Sequence, residues 1–197
     1  MRLWVGEVME ITTEIRKPHV SNNSGNNEWY TPPVFIDSAR VVMGRIDLDP
    51  ASSAVANKTV MADRYFTSQD DGLAQDWHGR VWLNPPYAQP LVRQVAEALV
   101  RKFERGDVSQ ACVLVNNATE TVWFQTLLTT SSAVCLMRSR IRFLDPSGKP
   151  RKSPLQGQVV IYFGSAVQEF VREFSKHGAC LASHHPHAIT AATTSAG

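Results

Sequence analysis

Apolar residues recur at two alternating spacings along the chain. Spacing of three and four positions, typical of one face of an α-helix, runs through residues 33–43, 90–105, 120–128 and 166–176. Short apolar runs typical of buried strands lie at residues 45–49, 81–83, 111–115, 133–137 and 159–163. The alternation of strands with helices predicts an α/β fold in which helices cover both faces of a mostly parallel sheet.

The same pattern divides the chain into three parts. Residues 1–27 end in the polar run Ser-Asn-Asn-Ser-Gly-Asn-Asn, which predicts an N-terminal extension and linker. Residues 28–180 carry all the periodic segments, and we expect them to form one domain. Residues 181–197 are rich in alanine, serine and threonine and carry no charged side chain other than histidine, so we expect a flexible tail.

Composition narrows the class of protein. Of the 197 residues, 43% are hydrophobic, which is enough for a core and excludes wholesale disorder. No run approaches the ~18 apolar residues of a membrane span, and the charged N-terminus lacks a signal-peptide core, so we expect a cytoplasmic protein. The three cysteines lack metal-ligand spacing, and His184, His185 and His187 have no acidic or cysteine neighbours, so no metal is expected.

Positive charge is concentrated in one segment. The net charge is only +2, but residues 138–152 hold six cations and one anion. A solvated surface loop is the ordinary explanation of such a run. Arginine outnumbers lysine 14 to 6 in the chain, and arginine suits forked contacts with phosphates and base edges, so nucleic acid is the alternative partner.

Three polar segments follow predicted strands at the point where the chain leaves the sheet. They are Asp49-Pro50, Asn84-Pro85-Pro86-Tyr87 and Asn116-Asn117. In open α/β sheets, ligands bind beyond the carboxyl ends of the strands. The chemistry of this protein is therefore expected at these segments.

The Asn84-Pro85-Pro86-Tyr87 segment has a structural and a chemical interpretation. Two prolines restrict the backbone and remove two donors, which is typical of a tight turn. The chemical interpretation uses the flanking residues as well. The Asn84 side-chain oxygen and the Pro85 carbonyl can accept both hydrogens of an NH₂ group, and the flat face of Tyr87 can stack on a planar ring. This arrangement suits methylation of an aromatic amine.

Five motifs occur in a fixed order along the chain. They are W-x-T-P at Trp29, D-L-D-P-A at Asp47, D-G-L-x₃-W at Asp71, W-L-N-P-P-Y at Trp82 and R-I-R-F at Arg140. From Trp29 to Gly164 the chain thus resembles the phage and prophage Dam-like DNA N6-adenine methyltransferases. The resemblance implies a Rossmann-like methyltransferase fold and methyl transfer from S-adenosylmethionine to a flipped adenine in double-stranded DNA.

The resemblance also implies roles for individual residues. The catalytic residues are Asn84, Pro85, Pro86 and Tyr87. The cofactor-binding residues are Tyr30, Thr31, Pro32, Asp49, Pro50, Ala51, Asp71 and Leu73. The residues that contact DNA or the target base are Phe143, Arg138, Arg140, Arg142, Lys149, Arg151 and Lys152.

Several of these residues have an ordinary structural alternative. Thr31 can cap the helix that follows it, Asp49 and Asp71 can form turns, and Phe143 can be a core aromatic. The loop after Asp49-Pro50 also departs from the glycine-rich pattern of many methyltransferases, because alanine and serine replace glycine there.

The resemblance leaves two other functions open. An enzyme of the same chemistry could methylate adenine in RNA or a glutamine amide in a protein. A protein of another class, a non-catalytic nucleic-acid-binding module with a degenerate methyltransferase fold, is favoured only by the glycine-free loop. The intact N-P-P-Y motif argues against this module. The leading expectation, which the resemblance implies, is a DNA adenine-N6 methyltransferase that acts in the cytoplasm of a bacterial host as a phage or prophage product.

Overall fold

The computed structural model describes residues 29–151 and 156–183. The predicted N-terminal extension, Lys152 and residues 184–197 of the predicted tail lie outside the described residues. The helices are α1 Pro33–Met43, α2 Ala54–Val60, α3 Leu91–Glu104, α4 Val122–Thr130 and α5 Val167–Phe174. The strands are β1 Leu48–Asp49, β2 Arg64–Tyr65, β3 Gly79–Leu83, β4 Val108–Asn116, β5 Ala133–Met137, β6 Gln158–Phe163 and β7 Gly178–Ala182.

The described strands form one sheet in the order β2-β1-β3-β4-β6-β5-β7. Strands β2, β1, β3 and β4 are mutually parallel. Strand β6 is antiparallel to its neighbours β4 and β5, and β7 is antiparallel to β5. Five strands therefore share one direction, which confirms the predicted mostly parallel sheet and the Rossmann-like methyltransferase fold.

Helices cover both faces of the sheet, as predicted, because the central strands bury both of their faces. In β6, Val159, Ile161 and Phe163 join one core cluster, whereas Val160 and Tyr162 join the other. Helices α3 and α4 pack on the first face, and α1 and α5 pack on the second. This two-sided burial explains the uninterrupted apolar run in the sequence. None of the helices in residues 29–151 and 156–183 is long and apolar enough to span a bilayer.

Three elements were missed by the sequence pattern. Helix α2 is short and has one fully buried residue, Val60, so it lacks a clear apolar periodicity. A local contact stabilises its start, because the Ser53 hydroxyl accepts a hydrogen bond from the Ala56 amide. Strand β2 has two residues and pairs only with β1. Strand β7 extends to Ala182, so the predicted start of the tail at residue 181 is wrong. Small residues make β7 inconspicuous in sequence, but pairing with β5 stabilises it at the sheet edge.

The predicted strand at residues 45–49 is also shorter than expected, because its first half forms a polar network. The Asp47 carboxylate accepts hydrogen bonds from Arg80 Nε at 2.8 Å and from Arg45 Nε at 2.6 Å. The Arg80 amide donates to the same carboxylate. Gly79 permits this approach, since its φ is +76° and a Cβ there would lie 2.5 Å from Asp47 Oδ2.

Replacing Asp47 with asparagine is expected to lower the free energy of unfolding by about 1–3 kcal/mol at pH 7. Burial raises the pKa of Asp47, but hydrogen bonds from the side chain and backbone of Arg80 and from Arg45 outweigh it and lower the pKa to about 2. A lowered pKa in the folded state stabilises the protein above the unfolded-state pKa of 3.8, and this stabilisation is lost as the pH falls towards 2. Urea unfolding of both proteins at pH 7 and pH 3 checks this prediction. The free energies of unfolding should differ less at pH 3 than at pH 7, and a larger difference at pH 3 would contradict the prediction.

Candidate active site

A cavity of about 770 Å³ opens at the carboxyl ends of β1 and β3. These two strands are adjacent and parallel, so the segments that follow them meet at one edge of the sheet. The cavity wall includes most of the residues that the sequence assigns to catalysis and cofactor binding. They are Tyr30, Thr31, Asp49, Pro50, Ala51, Asp71, Leu73, Asn84, Pro85, Pro86 and Tyr87.

Asn84 is held in this wall by hydrogen bonds on both sides of its amide. The Tyr87 hydroxyl donates to Asn84 Oδ1 at 2.8 Å, and Asn84 Nδ2 donates to Thr31 Oγ1 at 3.2 Å. Burial raises the pKa of the Tyr87 hydroxyl, which keeps it protonated as a donor. Asn84 Oδ1 retains a second lone pair for a ligand. Within the described residues, no group donates a hydrogen bond to the Pro85 carbonyl.

Thr31 belongs to the site and does not cap the helix after it. Helix α1 begins at Pro33 with Pro32 as its cap residue, and no side chain caps it. The Thr31 hydroxyl is buried and accepts the hydrogen bond from Asn84, so its own hydrogen can be donated to a ligand in the cavity.

Asp49 is a buried carboxylic acid in the same wall, with 3% of its surface exposed. Burial raises the pKa of Asp49 to about 7, although the Ser52 hydroxyl and the Ala51 amide counteract this effect. Ser52 Oγ is itself buried, and it makes no hydrogen bond of normal geometry with any described residue. Asp49 and Ser52 both line the cavity, and the Asp49 carboxylate accepts a hydrogen bond from the Ala51 amide at 3.2 Å. A cationic, hydroxylated ligand would satisfy both groups.

A glycine lies at a close contact between the loop after β1 and the D-G-L-x₃-W segment. Gly72 packs against the loop after β1, and a Cβ at Gly72 would lie 2.2 Å from the Pro50 carbonyl oxygen. The Gly72 carbonyl accepts a hydrogen bond from Trp77 Nε1 at 2.7 Å. The D-G-L-x₃-W motif therefore places Asp71 and Leu73 in the cavity wall by letting two backbones touch.

The aromatic residues at the mouth of the cavity differ from the prediction. Phe143 has 1% of its surface exposed and does not line the cavity, so direct contact with a target base is corrected to a core position. Its ring is nearly perpendicular to the Trp29 ring, with 5.8 Å between centroids, and Trp29 does line the cavity. The Arg151 guanidinium lies 5.2 Å above the Trp29 ring. Trp29 was missed because a single tryptophan in a motif does not reveal what its ring faces.

The remaining predicted residues lie outside this cavity. Pro32, Arg140 and Arg142 line a second, open hollow beside the start of α1. Arg138 and Lys149 are exposed on the surface. Asn116, expected near the chemistry, instead accepts a hydrogen bond from Gln158 Nε2 at 3.2 Å.

Residues 144–148 also line the cavity. The Asp145 carboxylate closes the turn by accepting from the amides of Ser147 and Lys149. Two backbone hydrogen bonds join Leu144 to Tyr30, at 2.8 and 3.1 Å. The cationic segment and the W-x-T-P segment therefore form one continuous wall.

No group of three or more histidine, cysteine or acidic side chains among residues 29–151 and 156–183 is arranged to hold a metal ion. The cysteines Cys112 and Cys135 are buried free thiols, and Cys180 is half-buried. His184, His185 and His187 lie outside the described residues.

Comparison with known proteins agrees with this geometry. The chain matches the family model described as DNA N-6-adenine-methyltransferase (Dam) over residues 19–178. It is 25% identical over 150 residues to the DNA N-6-adenine-methyltransferase of Haemophilus phage HP1 (strain HP1c1), which covers 73% of this chain and 82% of that protein. Because the family match spans the whole cavity and most of the chain, the protein belongs to the DNA N-6-adenine-methyltransferase (Dam) family.

Proposed function

We propose that this DNA adenine-N6 methyltransferase holds S-adenosylmethionine and a flipped adenine in the single cavity beyond β1 and β3. The observation that carries the proposal is the hydrogen-bonded chain from Tyr87 through Asn84 to Thr31. This chain joins the residues assigned to the target amine to a residue assigned to the cofactor. A turn formed only for structural reasons has no need of such a connection.

The chemistry of the cavity wall fits the cofactor. S-adenosylmethionine supplies an electrophilic methyl group on a positively charged sulfur, and it also carries an ammonium group, a carboxylate and ribose hydroxyls. The Asp49 carboxylate would bind a cationic part, and Ser52 Oγ lacks a partner that a polar ligand can provide. The Thr31 hydroxyl can donate to a carboxylate. Asp71 and Leu73 provide the opposite side of the wall.

Asn84 and Pro85 act on the amine of the target base. Their oxygens accept its two hydrogens, which favours a tetrahedral nitrogen and concentrates electron density on that atom. The Tyr87 hydroxyl fixes the rotation of the Asn84 amide, so the acceptor does not reorganise during the reaction. Asn84 is uncharged at every working pH, and the proton released from the amine can pass to water.

Two aromatic rings are available for the flipped base. Tyr87 and Trp29 both line the cavity. The Trp29 ring is nearly perpendicular to the Phe143 ring, and the Arg151 guanidinium lies over the Trp29 ring. A base must leave the duplex to reach a methyl donor, and flipped bases stack on aromatic side chains. We assign Trp29 as the second aromatic contact.

The experiment that tests the function is methyl transfer from tritiated S-adenosylmethionine to unmethylated DNA, total RNA and a protein extract in parallel. We expect label in DNA, recovered as N6-methyladenine after digestion to nucleosides. Label in RNA or protein alone would overturn the DNA assignment. A folded protein that binds no cofactor by calorimetry would instead support the non-catalytic module.

Trp29→Ala is expected to lower kcat/KM for DNA by about 5- to 150-fold, because base–aromatic stacking contributes about 1–3 kcal/mol. Trp29→Phe should retain part of the activity. DNA with 2-aminopurine at the target position reports flipping by fluorescence, and the signal should fall in the alanine variant. Cofactor affinity by calorimetry is the control, and it should change little. Full flipping and full activity in Trp29→Ala would contradict the assignment.

A further inference from the structure

The R-I-R-F segment has an inward and an outward side. Ile141 and Phe143 are buried in the core, and Arg140 and Arg142 are exposed. Residues two positions apart in extended backbone point the same way, so the two arginines share one side. The segment itself is fixed, because the Ile141 amide donates to Gln158 Oε1 at 3.0 Å.

Gln158 is a rigid anchor for this segment. Its side chain is 2% exposed and also donates to the Gln156 carbonyl at 2.8 Å and to Asn116 Oδ1 at 3.2 Å. Arg140 and Arg142 therefore project from a backbone that is held in place before any ligand arrives.

The two arginines line an open hollow of about 680 Å³. Its other lining residues are Pro32, Phe35, Ser139 and Ile141. Pro32 directly follows Thr31, whose hydroxyl is 3.2 Å from Asn84 Nδ2. The hollow is thus separated from the catalytic wall by the width of one backbone segment.

These cations have no acidic partner in the described part of the chain. Some arginines elsewhere are paired, for example Arg80 with Asp47 and Arg93 with Glu97. Others in the described part of the chain, such as Arg64 and Arg101, make no ion pair either. Within the described residues, 29–151 and 156–183, no carboxylate lies within 4.0 Å of Arg140 or Arg142. Two preorganised guanidinium groups without a counter-charge favour a multivalent anion.

We propose that Arg140 and Arg142 clasp a phosphodiester group of the DNA backbone next to the flipped adenine. This inference rests on the proposed function, since it requires DNA in the adjacent cavity. The side chains of the hollow offer hydrogen-bond donors, namely two guanidinium groups and the Ser139 hydroxyl, and a phosphodiester oxygen is an acceptor. A phosphate protrudes from the duplex and fits a hollow, whereas base edges are recessed and are reached by protruding side chains.

The first test is the salt dependence of DNA binding by the double variant Arg140→Gln/Arg142→Gln. We expect the slope of log K against log salt to become shallower by roughly 1, since one lost phosphate contact contributes about 0.9. The loss of affinity should be equal for a duplex that contains the sequence the enzyme methylates and for a duplex of only G·C pairs. Arg140→Lys/Arg142→Lys should keep most of the slope, because charge is retained.

The second test locates the phosphate. A series of duplexes is prepared, each with one neutral methylphosphonate at a different position around the target adenine. We expect one duplex in the series to bind the native protein more weakly, while its binding to the double variant is unchanged. Arg138→Gln is the matched control, because Arg138 is exposed in the same segment but does not line the hollow. That variant should remain sensitive to the same methylphosphonate.

Three outcomes separate the possibilities. If the double variant binds more weakly only to the duplex with the target sequence, and its salt slope is unchanged, the arginines recognise bases. That result overturns the phosphate clasp. Unchanged affinity and slope in a variant that still methylates DNA also overturns it. If the native protein does not methylate adenine but the double variant still shows a shallower salt slope, the proposed function is overturned and the phosphate site stands. Cofactor affinity and thermal unfolding confirm that each variant is folded.

Discussion

Asn84→Ala is expected to lower the rate of methyl transfer by about 10²- to 10³-fold, the loss typical of removing one preorganised polar group at a reacting atom. The variant loses the oxygen that accepts a hydrogen from the target amine. It also removes the partner of both Tyr87 and Thr31, so the remaining groups are no longer held in one arrangement. Single-turnover transfer from tritiated cofactor measures the effect directly.

Two further variants divide this effect into its parts. Tyr87→Phe keeps the ring but removes the hydroxyl that fixes the Asn84 amide, and a loss of about tenfold is expected from one hydrogen bond. Asn84→Asp keeps the acceptor oxygen but not the donation to Thr31, so its activity should lie between those of the native protein and the alanine variant. If Asn84→Ala retains more than a tenth of the native rate while folded, the assigned role of Asn84 is wrong.

Asp49→Asn is expected to weaken cofactor binding by about 30-fold or more at pH 8, since it removes a buried charge that faces a cationic ligand. In the native protein, burial raises the pKa of Asp49 to about 7. A cation in the cavity favours the ionised form and lowers this pKa. Cofactor affinity should therefore be constant above pH 7 and fall by up to tenfold for each pH unit below it. The variant should lack this dependence.

The same substitution should change stability in the opposite direction. A carboxyl whose folded-state pKa is raised above the unfolded value of 3.8 stabilises the fold fully below that value, and the stabilisation is lost as the pH rises towards 7. At pH 8 without cofactor, Asp49→Asn should unfold at a higher temperature than the native protein. Calorimetry at pH 6, 7 and 8 with parallel thermal unfolding checks both effects. A less stable variant at pH 8, or native affinity independent of pH, would contradict them.

The sequence predicts the fold where local and tertiary signals agree. Helix α1 begins and ends at the predicted residues because Pro33 suits a first turn and Gly44 adopts a φ of +82° that ends it. The central strands bury both faces and are therefore plainly apolar. Helix α2 and strand β7 lack such a signal, and they depend on Ser53 and on pairing with β5.

The candidate site also has some features with a local sequence signal and others that depend on tertiary contacts. Motif residues such as Asn84 and Asp49 can be placed at one sheet edge from their positions after adjacent strands. Contacts between segments distant in sequence cannot be read in this way. The hydrogen bond between Asn84 and Thr31 joins residues 53 positions apart, the role of Gly72 depends on Pro50, and the exchange of Phe143 for Trp29 depends on side-chain packing.

The paired backbone of Tyr30 and Leu144 joins the cavity wall to the cationic segment. On the proposed assignment, cofactor would bind against one of these paired stretches and DNA against the continuation of the other. Any coupling between the two ligands would be reciprocal: a cofactor that tightens DNA binding is itself held more tightly by DNA, by the same factor. The Tyr30–Leu144 pairing is the place in the described residues where such coupling would be tested first.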